Sequence, residues 1–220
     1  MEHQEGEPFD LEVALLKIED TAAALLTIPA KYIGPLGTKV PDIAWYVLAA
    51  IKKTRSLSHA FCVLVRARNA LAATALIRLQ LDTALRVFGL SLIADLEEAG
   101  AKLMNDESYR TLRSRDGKPL TDALLHEHLD EHYPGLSYAY KTTSSYVHLS
   151  ASHIKTGLSE RPGTATLFFH LNGTDDVQSD NEFADIVDWF DQATELTSNM
   201  IEDFMCYRYV LEFKQTKPNT

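Results

Sequence analysis

Three charged residues, Arg78, Asp82 and Arg86, interrupt an otherwise apolar stretch of this chain at spacing i, i+4, i+8. On a helix that spacing is one face, so the three side chains form a single polar stripe. A helix with apolar residues on its other sides belongs at the centre of a fold, and charges buried there must be neutralised. Arg78 and Asp82 can pair with each other, which leaves Arg86 short of an anion or a hydroxyl. A later segment, SSYVHLSASH over 144–153, offers such groups. Read as a helix, it sets Ser145, His148 and Ser152 on one face, with Ser144 an i, i+4 neighbour of His148. Two outcomes are open. In one, the hydroxyls and the imidazole complete a structural polar network that ties two helices together. In the other, the surplus positive charge holds a phosphate or carboxylate ligand: Arg86, Ser144, Ser145 and Ser152 bind it, and His148, Arg78 and Asp82 form the catalytic set, with His148 as acid or base. His153 is rotated away from His148, so this pair is not a metal site.

Two further constellations are weaker. His128 and His132 stand four apart on the segment HEHLDEH, which places two imidazoles on one helix face, as zinc and iron sites require. Asp130 occupies the position where a His-Glu-x-x-His motif needs its second histidine, and no third ligand is identified; a metal enzyme using His128 and His132 stays open as the weakest reading, while the leading ones need no metal or cofactor. The other is basic: Lys52, Lys53, Arg55, Arg66 and Arg68, joined by Arg110, Arg113 and Arg115. These could meet RNA or a nucleotide at a local patch, but they lack the interleaved aromatics that stack single-stranded bases. No glycine-rich phosphate loop, Gly-x-Ser-x-Gly elbow or Cys/His nucleophile arrangement is present.

The elements that must position these residues read mainly as helices. Helical spacing of Leu11, Ala14, Leu15, Ile18, Ala22, Leu25 and Leu26, with Asp10 as N-cap, predicts a helix over 10–27. Pro29, Gly34, Pro35, Gly37 and Pro41 fall too densely for regular structure and make a loop or hinge. A second helix is predicted over 41–66 and the central one over 69–96, joined as a hairpin or as one longer helix. Short helices follow, one of them over 121–132 with Thr121 as cap. A hydroxyl-rich helix is expected over 136–155, although Ser and Thr prefer caps and turns. The segment 165–173 offers at most a small β-hairpin. The last helix runs from Asp180 or Asn181 to about 213, and the tails, about 1–8 and 214–220, fray. The expected architecture is therefore a single-domain helical bundle around 69–96, covering 1–220.

Composition is compatible with this picture. At 45% hydrophobic and 24% charged, the chain is neither disordered nor membrane-embedded in character. The polar stripe breaks the longest apolar run well short of the ~20 residues that span a bilayer, so no membrane contact is expected. The start, MEHQEGEPFDLE, is acidic and lacks the features of a secretion signal, which favours the cytoplasm. Cys62 and Cys206 sit in helical, apolar surroundings and read as small buried hydrophobes. The net charge of −10 excludes broad coating of nucleic acid. That charge is uneven, however. No acidic residue lies between Asp42 and Asp82, and no Lys or Arg between Pro162 and Tyr207. The acidic C-terminal helix either lies against the basic segment of its own chain or docks a basic partner or a second copy.

The central helix LIRLQLDTALRV, followed downstream by TSSYVHLSASH, resembles a set of mostly prokaryotic all-helical proteins and, more loosely, the HEPN superfamily. The resemblance covers roughly 51–153. It implies a helical bundle of the defence or toxin–antitoxin type that binds or cleaves RNA, or binds a nucleotide, and as an enzyme would be a metal-independent ribonuclease. The Arg-to-His spacing of catalytic members is not matched, since Arg55 to His59 is too short and no His follows Arg78 or Arg86 at that distance. No catalytic role is therefore carried over from the family. The contrasting expectation is a non-catalytic protein–protein interaction module whose polar network is purely structural.

Overall fold

A computed structural model of the chain describes residues 9–160, 163–175 and 179–214. Of the tails expected at about 1–8 and 214–220, residues 1–8 and 215–220 lie outside the described residues. Helix α1 (Leu11–Ala24) is capped by Asp10, whose carboxylate accepts from the Val13 N–H, and it buries Leu11, Leu15, Ile18 and Ala22. The Pro- and Gly-dense stretch opens with one π turn, Pro29–Ile33, and loops on to α2 (Asp42–Arg66). α2 ends in a Schellman turn: the Arg68 and Asn69 N–H groups donate to the Val65 and Leu64 carbonyls, and Arg68 takes a left-handed φ of 55°. Asn69 then caps α3 (Ala70–Leu92), which packs back on α2 as a hairpin.

α3 is the central helix, with α2, α5, α6 and α8 around it. It is shorter than its apolar pattern predicts. Ile93 is extended, and Asp95 caps a separate helix, α4 (Leu96–Met104), by accepting from the Glu98 N–H. A 3-10 turn (Tyr109–Thr111) leads to α5 (Asp122–His132), capped by Thr121 as expected. α6 (Leu136–Val147) and α7 (Ala151–Gly157) replace the single helix expected over 136–155. Strands β1 (Leu158–Glu160) and β2 (Leu167–Phe169) form the small antiparallel hairpin, with Ser159 opposite Phe168. α8 (Asp180–Asp203) starts from a Ser179/Glu182 capping box and continues through a π turn (Phe204–Tyr209) into α9 (Val210–Phe213). The protein is thus mainly α, a bundle with one small hairpin. Among the described residues no helix is long and apolar enough to cross a membrane.

The core is divided. One apolar cluster joins Phe61, Ile77, Phe183 and Phe190; the other joins Ile43, Val47, Leu85, Leu90 and Ile201. Between them, at one level on α2, α3 and α8, lies a polar layer in which Gln80 donates to Thr54 at 3.2 Å and to Thr197 at 2.8 Å. A buried amide whose NH2 finds both acceptors only in this alignment favours one register of the three helices, although its Oε1 has no partner among the described residues. Cys62 is buried, which pushes its thiol pKa up to about 12, whereas Cys206 is exposed, contrary to its apolar sequence context.

Candidate functional site

The stripe faces α5 and α6, and its two ends differ. At one end the Arg86 Nη2 donates to the Asp122 carboxylate at 2.6 Å and lies 3.6 Å from Asp82. The Arg86 guanidinium also lies over the Tyr109 ring, whose hydroxyl donates to the Arg86 carbonyl at 2.7 Å. Gly89 permits this approach, because a Cβ there would meet the Tyr109 hydroxyl and the Leu125 side chain. Burial alone would raise the Asp122 pKa, but Arg86 and Arg110 outweigh it and hold the carboxylate below its ordinary value. Asp122 is the anion that Arg86 needs. The sequence reading missed it because an acid one residue past a helix cap has a sufficient local role at the helix dipole.

At the other end Arg78 meets no carboxylate closely. Its Nε donates to the Ser144 hydroxyl at 3.0 Å, its Nη2 donates to the Tyr140 hydroxyl, and its guanidinium sits 3.4 Å over the Tyr140 ring. Asp82, 3.8 Å from Arg78, is shared with Arg86 at 3.6 Å and with Lys53 at 3.8 Å. Arg86 therefore has a close carboxylate, Asp122, which Arg110 also approaches at 3.6 Å, whereas no carboxylate lies nearer than 3.8 Å at the Arg78 end. There a cleft of about 260 Å³ opens, lined by Arg78, Leu79, Asp82, Ser144, Val147 and His148.

His148 reaches this cleft because the helix stops. Its backbone is extended, with φ −117° and ψ 144°, and it ends α6. The Ser150 hydroxyl donates to the Ser145 carbonyl at 2.6 Å and caps α7, completing a box with His153. Hydroxyls competing for backbone partners thus break the segment expected to be continuous. The shared face of Ser145, His148 and Ser152 consequently does not form. Ser145 and Ser152 hydrogen-bond to each other at 2.9 Å and do not line the cleft, and Arg86 does not line it either. Of the expected set, Arg78, Asp82, Ser144 and His148 come together.

His126, the first residue of the HEHLDEH segment, packs in the seam where α5 meets α6. One turn beyond Asp122, its ring packs edge-on against Tyr140 at 4.0 Å, and both ring nitrogens are buried without a partner among the described residues. Burial lowers its pKa, so it is held neutral. Its spacing of four from Asp122 was the available signal. The other histidines of that run do not converge. His128 lies 3.9 Å from Glu131, His132 is edge-on to Phe88, and no group of three or more potential metal ligands occurs among the described residues.

The basic segment is broken up by its own chain. Arg66 binds Glu12 and Glu19, and Arg68 binds Asp180 of the acidic helix at 2.6 Å. Other carboxylates of α8 meet cations from outside the segment, Lys17 with Asp191 and Glu195, and Lys31 with Glu202. No known protein-family profile, curated protein or solved structure matches this chain.

Proposed function

We propose that this is a cytoplasmic helical protein of the HEPN-like, defence or toxin–antitoxin kind, which takes a phosphate of RNA or of a nucleotide into the cleft between Arg78 and His148. The observation that carries this reading is the uneven neutralisation of the stripe: Arg86 has Asp122 at 2.6 Å, while Arg78 is held by hydroxyls and a ring face beside an open cleft. A guanidinium whose close partners are neutral, with its nearest carboxylate, Asp82, at 3.8 Å, keeps charge for an incoming anion, and its planar fork suits phosphate oxygens. His148 on the opposite wall is placed to accept or deliver a proton at the bound group. A short single-stranded RNA tests this. Wild-type protein is expected to bind it, and cleavage without added metal would make His148 catalytic. His148→Ala should abolish the effect with thermal stability nearly intact. A wild-type protein that neither binds nor cleaves the RNA would refute the reading.

The interaction-module reading is favoured by a different observation. The hairpin and its approaches leave Leu149, Phe168, Phe169 and Leu171 exposed, Leu171 by 88%. An isolated two-stranded hairpin is marginal in water, and an apolar one gains from being covered. The acidic face of α8 is the lesser candidate for docking, since Asp180, Asp191, Glu195 and Glu202 already meet cations of this chain. Association that Phe168→Asp abolishes in light scattering would support docking through the hairpin. A strictly monomeric wild-type protein would count against self-association.

A further inference from the structure

A second cavity, of about 580 Å³, shares no lining residue with the Arg78 cleft. It lies between α3, the α5–α6 turn and α8, and its size is that of a small-molecule pocket. Ile77, Leu81 and Leu196 give it an apolar floor. Above them stand aromatic side chains: Trp189 on α8, partly buried against the core, and Tyr133 and Tyr138 beside the turn, Tyr138 being 70% exposed. Gly135, at φ 96°, makes the turn that brings the two tyrosines to the rim.

The charge of the lining is one-sided. It contains no Lys or Arg, and Glu195 is its one carboxylate. Lys17 bridges Asp191 at 2.6 Å and Glu195 at 2.8 Å, so this three-residue cluster keeps one net negative charge. Apart from His132 the lining offers a phosphorylated or carboxylate ligand no basic side chain, and the nearby Lys17 is already held by Asp191 and Glu195. An ammonium would find the net negative charge of that cluster, with Glu195 shared with Lys17, and the negative faces of aromatic rings.

From this complementarity we propose that the cavity binds a small organic cation, an arylalkyl or alkyl amine. Its apolar end lies on Ile77, Leu81 and Leu196, and its ammonium sits between Glu195 and the rings of Trp189 and Tyr138. The site is independent of the anion cleft, so neither reading stands or falls with the other.

The chain has two tryptophans, Trp45 and Trp189, so Trp45→Phe leaves Trp189 as the sole indole reporter. In that background, 2-phenylethylamine and phenylacetate are titrated at neutral pH as probes that share a ring and differ in charge. The amine should change the Trp189 emission saturably and bind at least about ten-fold tighter than phenylacetate, the factor that about 1.4 kcal/mol supplies. Glu195→Gln should weaken the amine about ten-fold, and so should Tyr138→Ala, an exposed position whose truncation leaves the fold intact. The proposal is overturned by phenylacetate binding as tightly as the amine, by no saturable response to the amine, or by unchanged amine affinity in Tyr138→Ala.

Discussion

The two arginines at the ends of the α3 stripe have the same chemistry and opposite fates. Arg86 is closed in by Asp122, Asp82 and the Tyr109 ring. Arg78, two helical turns away, is held by Ser144 and Tyr140 and borders an open cleft. A buried charge with a close counter-charge is a fastener; its removal exposes the partner's desolvation cost, and its presence offers a ligand little. A charge supported by hydroxyls and a π face is positioned without being neutralised, which is what an anion site requires. One stripe is therefore tied down at one end, and at the other, on the proposed function, meets a ligand.

Breaking the closed end should have the largest effect. Asp122→Ala leaves Arg86 with only the shared Asp82. Loss of one partner from a fully buried pair costs about 3–5 kcal/mol, and because Asp122 is 34% exposed, we expect about 2 kcal/mol here, read from the urea midpoint. Gly89→Ala, which drives a methyl into Tyr109 and Leu125, should cost about 1–3 kcal/mol by the same measurement.

Acid acts on the seam in two steps. His126 has a lowered folded pKa, so the unfolded chain takes up its proton first as pH falls below about 6.5. Stability should decline from there until the folded histidine also protonates, and His126→Phe, which keeps a ring against Tyr140, should flatten this step. Asp122, also lowered, contributes fully above about pH 4, and its contribution is lost as pH falls through its depressed folded value. The smallest effect on stability belongs to the open end. His148→Ala removes an exposed side chain and should shift the midpoint by no more than about 0.5 kcal/mol.

Much of the bundle was legible because long apolar periodicities are strong signals. α2 begins and ends within a residue of its pattern, and the caps Asp10, Asn69 and Thr121 are the residue types that cap helices. What misled were local competitors of periodicity. The stretch after Leu92 stays apolar although the chain turns there to cap α4 at Asp95, and the serines of 144–152 divide one helix into two. The site was half legible. Spacing identified the stripe, and spacing sets Asp122 and His126 on one face of α5, but it carries no information that this face meets the stripe, which tertiary packing decides. The cleft itself depends on the helix ending at His148, a backbone event that a helical-face analysis excludes by construction.

The difference between the two ends can be read directly by nuclear magnetic resonance on isotope-labelled protein titrated with a nucleoside monophosphate. The Arg78 Nε–H and the His148 ring signals should shift together and saturate with one dissociation constant, while the Arg86 side-chain signals stay in place. Shifts at Arg86 as large as those at Arg78, or none at Arg78 and His148, would contradict the division of the stripe into a fastener and a binding end.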